Sequence, residues 1–151
     1  MPPRADADVA VIAMGTLSDI RDTAQDKVVS DRVLTRLAQL PTLLCTSGLL
    51  ATLAFYAAKG VGDRDLDKAY AVVGSVLRAQ SCVALGWRED GGQAIDLAFL
   101  KRLTEEVQKH PESLTRVTLR LQELSIWLRR LAEALDGEQQ RNRSAKESAD
   151  G

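Results

Sequence analysis

Aromatic residues make up only 4% of this chain, and in its 151 residues there are one histidine and two cysteines. One histidine with two distant cysteines cannot build a standard zinc site. Cys45 and Cys82 lie inside apolar runs, and no signal peptide precedes them, so they are expected to be reduced, buried small hydrophobes and not a disulfide. The segment Met1-Pro2-Pro3-Arg4-Ala5-Asp6 carries acid where a targeting signal carries none, which leads to the expectation of a cytoplasmic chain. Net charge is −1, so the molecule as a whole is no polycation. Any contact with nucleic acid has to come from a local stripe of cations.

The signatures of catalysis are also missing. There is no GxGxxG, no Walker loop and no nucleophile elbow. Asp63, Asp65 and Asp67 imitate the start of a calcium loop, but Lys68 stands at its turn-glycine position and Gly74 at its final glutamate. Glu105-Glu106 and Glu89-Asp90 are adjacent pairs, and neighbours one apart do not share a helix face. All of these read as charged, solvated surface, and His110, next to Pro111, reads as a cap or surface residue. No catalytic residue, metal, cofactor or small-molecule substrate is expected.

Leu37 to Ala58 contains no charge over 22 residues, long enough to span a bilayer. Pro41 interrupts it, and Gln39, Thr42, Thr46, Ser47 and Thr52 dilute it. With amphipathic segments on either side, a buried helix is the better reading.

What is abundant is Leu, Ala and Val in helical spacing, and no sustained alternation marks a strand. A chain of this size buries roughly 70% of the surface its unfolded form exposes, enough for one domain without staples. Val9, Ile12, Leu17, Ile20 and Ala24 make one stripe, giving a helix from about Asp6 to Asp26. Ser30 caps a second, carrying Val33, Leu34 and Leu37, which stops before Pro41. Pro41 then opens a third, buried and central, over about 42–59. Within it Gly48 suggests close helix approach, Leu53 is core, and Phe55 and Tyr56 fill the largest volumes. A fourth starts at Asp63 or Asp65, with Leu66, Tyr70, Val73, Leu77 and Ala84 inward, and ends at Gly86. Trp87 to Gly92 is a loop. Asp96 caps a fifth helix, stapled by Ile95 and Leu100, to about Lys109. Pro111 opens a sixth to about Leu135, which Gly137 terminates. The expectation is an all-α single-domain bundle of about six helices over 1–136, followed by a disordered polar tail over 137–151.

The sixth helix is the most informative. Leu114, Val117, Leu121, Leu124, Leu128, Leu131 and Leu135 step by three and four residues, forming one core seam. At about 100° per residue, Arg116, Arg120, Trp127 and Arg130 fall on a separate strip, with Arg129 beside it. Leu119 and Ile126 sit on yet another side, facing either a second partner or the edge of the core. The arginines either contact a phosphate backbone or coat the surface.

Two segments carry a resemblance. Leu40-Pro41-Thr42-Leu43-Leu44 is followed by Ser47-Gly48-Leu49-Leu50-Ala51-Thr52-Leu53-Ala54-Phe55-Tyr56 and Lys59-Gly60, and near the end stands Leu124-Ser125-Ile126-Trp127-Leu128-Arg129-Arg130-Leu131-Ala132-Glu133-Ala134. Together they resemble the small helical subunit of Cmr-type (type III-B) CRISPR–Cas complexes, over about Val28 to Leu135. Arg129-Arg130-Leu131 replaces the family's usual Lys-Arg-Phe, and the first helix lacks the aromatics often found there. The resemblance implies a non-catalytic subunit in antiviral defence, stacked beside copies of itself along a ribonucleoprotein filament. Its partners are the backbone subunit, the large subunit, and the guide and target RNA, with cleavage left to other subunits. On this reading Arg116, Arg120, Arg129 and Arg130 are the candidate RNA-backbone contacts, and Pro41, Gly48, Leu53, Phe55 and Trp127 are structural. The other reading of the residues is a stand-alone helical adaptor or dimerisation domain.

Overall fold

The structure is a computed structural model that describes residues 2–89 and 93–150. It is all-α, with α1 Pro2–Thr23, α2 Asp31–Ser47, α3 Leu49–Lys59, α4 Asp65–Leu85, α5 Leu97–Lys109 and α6 Pro111–Asp150, plus a 3-10 turn at Gln25–Lys27. No strand occurs among the described residues. Several local signals work as the sequence indicates. The Ser30 side chain accepts from the Val33 amide, Asp96 accepts from Phe99, and Gly86 ends α4 in the left-handed region. Gly91-Gly92 and Asp90, in the connection to α5, lie outside the described residues.

The core forms where the seam of α6 meets the other helices. Val117, Leu121, Leu124, Leu128 and Leu135 are buried, alongside Leu40, Leu53, Leu77 and Leu103. Leu131 is half-buried, and Leu114, at the start of the seam, is exposed.

Five boundaries and burials differ from expectation. Pro41 does not separate two helices: α2 runs through it to Ser47. A proline inside a helix costs one hydrogen bond and a clash. Here Leu37, Leu40 and Leu44, all buried, continue the same apolar face across it and offset that cost.

The break comes at Gly48 instead. Its φ of 85° and ψ of 171° belong to a region that is nearly closed to other residues. A Cβ added there would meet nothing within 4 Å, so the glycine serves backbone conformation and not close helix approach. The expected central helix is therefore two, and α3 is only partly inside, burying Leu49, Thr52, Leu53 and Tyr56. Phe55 is 36% exposed; its ring meets Tyr56 and Tyr70 edge-on at the surface.

Gly137 does not end α6, which continues to Asp150 where a disordered tail is expected. A lone helical glycine costs about 1 kcal/mol against alanine. The next turn compensates, because Gln139 is buried and grips the backbone before α2. Its Oε1 accepts from the Val29 amide and its Nε2 donates to the Val29 carbonyl, both at 2.9 Å. Arg143 adds a contact to Asp31 at 3.4 Å. Finally, Cys45 is exposed and not buried as expected, whereas Cys82 is buried.

The burial difference between neighbours on α3 is testable. Leu53→Ala should cost about 2–5 kcal/mol in urea unfolding, because the fully enclosed site cannot collapse. Phe55→Ala should cost distinctly less, and equal losses would contradict this placement of α3.

Candidate nucleic-acid interface

Because α6 is one uninterrupted helix, its residues keep fixed angular positions around the axis. Arg116 and Arg130 are exposed on the strip that lies roughly a quarter to a third of a turn round α6 from the seam. Among the described residues neither forms an ion pair or a hydrogen bond. Trp127, half-buried between them, has interactions of its own. Glu123, also exposed, falls inside this strip at about 100° per residue, so the surface is not purely cationic.

Arg120 belongs to the strip in sequence but is engaged inward. Its Nε and one terminal nitrogen donate to Gln80 Oε1 at 2.9 and 2.7 Å, and Gln80 is buried on α4. This fork ties α6 to α4, and removing Arg120 would strand a buried carbonyl at a cost of about 1–3 kcal/mol.

Arg129 is not beside the others. It lies about 100° round the helix from Arg130. There its Nε pairs with Glu133 at 3.0 Å, one turn on, and it faces the side of α2. Such an exposed pair contributes little. Of the four candidate arginines, the structure thus leaves two exposed together on one strip and two engaged elsewhere. Leu119 and Ile126 flank that strip and are exposed.

The acids dismissed as solvated surface include two that do structural service. Asp67 is buried at the start of α4, where the guanidinium of Arg64 pairs with it at 3.0 Å. Hydrogen bonding and charge from Arg64 hold its carboxyl below the usual range despite the opposing effect of burial. Glu89 accepts from Arg78 Nε at 2.6 Å and from the Cys82 thiol. Arg78 also donates to the Ala94 carbonyl at 2.6 Å and stacks over the Phe99 ring, while Arg102 covers Trp87. This cluster fastens the connection between α4 and α5 to the bundle. Sequence reading missed it because Arg78, Glu89 and Phe99 are remote in the chain; the short return from α4 to α5 is the one available signal.

Among the described residues, no three His, Cys, Asp or Glu side chains gather where they could hold a metal ion, and no helix is long and apolar enough to cross a membrane. The fold and its exposed chemistry define a small all-helical bundle that offers surfaces for binding.

Residues 10–135 match the family described as CRISPR-associated protein (Cas_Cmr5), so the chain belongs to that family of Cmr-complex small subunits. These are accessory subunits that associate with the other Cmr subunits. No curated protein and no solved structure gives a match.

The Cys82 site makes a pH prediction. Burial, then the hydrogen bond and charge of Glu89, pushes this thiol up to about 12, against about 8.5 in an unfolded chain. Between these values the folded state keeps a proton that the unfolded state releases. Stability from this group is therefore complete below about pH 8.5 and declines as pH rises through the window. Urea unfolding of the wild type should weaken more steeply above about pH 8.5 than that of Cys82→Ala, and parallel pH profiles would contradict this assignment.

Proposed function

We propose that this chain is the non-catalytic small subunit of a type III-B effector in cytoplasmic antiviral defence. In this role it stacks with copies of itself beside the backbone and large subunits and helps hold target RNA paired to the guide. Family membership supports the setting. The observation that carries the RNA role is the pair of exposed guanidinium groups, Arg116 and Arg130, on the outward strip of α6. Cations at this spacing meet phosphates without reading bases, as a subunit must if any target sequence is to fit. Leu119 and Ile126, exposed beside them, favour a protein contact along the same helix, which suits a subunit that stacks.

The structure bears on which variant tests this. Arg120 is unsuitable, since its loss also releases Gln80. The test is Arg116→Glu with Arg130→Glu in the assembled complex at two salt concentrations. Target binding should weaken about equally for unrelated guides, and its salt slope should become shallower by up to about 1.4 per copy. Unchanged affinity would refute the role, and lost assembly would reassign the strip to a neighbouring subunit.

The purified chain alone should neither cleave RNA nor turn over nucleotides, with or without divalent metal. Cleavage abolished by changing one of its own carboxylates would overturn the non-catalytic reading.

A further inference from the structure

A hollow of about 580 Å³ lies away from the arginine strip, where α2, α3, α4 and α6 meet. That volume is within the range of small-molecule sites. One wall is aromatic, with Phe55, Tyr56 and Tyr70 in mutual edge-to-face contact and ring centroids 5.1–5.9 Å apart. Arg36 and Gln39 line it from α2, and Arg129 with its partner Glu133 from α6.

The two tyrosines set this hollow apart from an ordinary surface groove. Their side chains are 3% and 5% exposed. Neither hydroxyl hydrogen-bonds to a described residue, yet neither is sealed away from solvent. Both tyrosines line this hollow beside Arg36, and both also border a much smaller one, of about 10 Å³, shared with Val33, Leu37, Leu66 and Val73. Buried phenols ordinarily find a partner. The Tyr56 phenol is also held well above its ordinary range by burial and by Tyr70, so it remains a donor.

We infer that this hollow receives a single unstacked nucleobase of a bound RNA strand, an inference that rests on the RNA reading above. A base edge presents donors and acceptors together, which matches two phenols and the Gln39 amide, and its flat face suits an aromatic wall. A lone carboxylate group offers acceptors alone and has no flat aromatic face to lay on this wall. Two guanidinium groups against one carboxylate leave the rim net positive, as the attached phosphate requires. Arg129 thereby acquires a place at the rim of this hollow instead of on the outward strip.

The experiment titrates the full chain, at low salt and followed by NMR, with a single-stranded RNA decamer and with an abasic decamer of the same backbone. The base-bearing strand should bind about tenfold more tightly and shift the Tyr56 and Tyr70 ring signals. The abasic strand should shift only residues near Arg116 and Arg130. The double change Tyr56→Phe with Tyr70→Phe keeps the rings, so Tm should hold while the tenfold preference disappears and the salt slope remains. Thr42→Trp, which fills the hollow from an exposed position of α2, should act in the same way without touching the tyrosines. Equal affinity of both strands, with shifts confined to the arginine strip, would overturn the pocket and leave the RNA reading standing. No salt-dependent binding of either strand would overturn both. An acidic decapeptide shifting the tyrosine signals where RNA does not would reassign the hollow to a protein partner.

Discussion

Each of the five shorter helices packs against α6, and its buried face of Val117, Leu121, Leu124 and Leu128 is the constraint from which they take their positions. A helix of 40 residues is about 60 Å long, roughly twice α1 or α4. It can therefore serve as a spine on one side and still expose a long surface on the other. That division explains why one element holds both the deepest core residues and the candidate contact groups. The seam must be apolar to fold the domain, and the exposed strip to its side is free to carry charge.

Leucine packing is non-directional, and a seam of similar residues would tolerate a slide by one turn. Directional contacts remove that freedom. Gln139 clasps both polar groups of Val29, and Arg120 grips the buried Gln80. Arg78 holds Glu89 and the Ala94 carbonyl at the far end of α4. The first two would leave a buried polar group unmet if α6 slid, while the Arg78 contacts hold the connection from α4 to α5. These contacts therefore specify arrangement where hydrophobic burial supplies the driving force, and the Gln139 and Arg120 contacts fix the angular position of the α6 surface relative to α2 and α4.

The fold was legible wherever a signal was local. Helical periodicity, the Ser30 and Asp96 caps and the Gly86 stop are all properties of a few adjacent residues. Legibility failed where tertiary burial outweighed a local preference. Pro41 is carried inside α2 by the leucines around it, and Gly137 inside α6 by the anchoring of Gln139. Gly48 was singled out for the wrong reason, since sequence reveals that a glycine is present but not whether it is needed for space or for torsion. The arginines show the same limit. Helical spacing correctly grouped Arg116, Arg120 and Arg130 by angle, but Gln80 lies 40 positions away, and nothing in α6 itself reveals that Arg120 is committed to it. Arg36 and Tyr70, at the hollow, had no sequence signal as a site because their neighbours come from four helices.

If the proposed RNA role holds, the charge arrangement bears on how such a protein works within an assembly. Arg64, Arg78, Arg129 and Arg143 are matched with carboxylates, and Arg120 with an amide. Two outward guanidinium groups on the strip, diluted by Glu123, give one copy only a shallow electrostatic hold on a single strand, with a salt slope of about 1.4. Weak, sequence-blind contacts become useful when they repeat. On that proposal, copies aligned along one strand would turn each further contact into an intramolecular event, so affinity would accumulate without any copy discriminating sequence. A near-neutral chain is compatible with this and helps it, since a strongly cationic subunit would bind nucleic acid indiscriminately before reaching its complex. Under the proposed role, the small charge excess on one helix face and the lack of bulk charge work together: contact that is weak but salt-dependent for one chain and sufficient for a row of them.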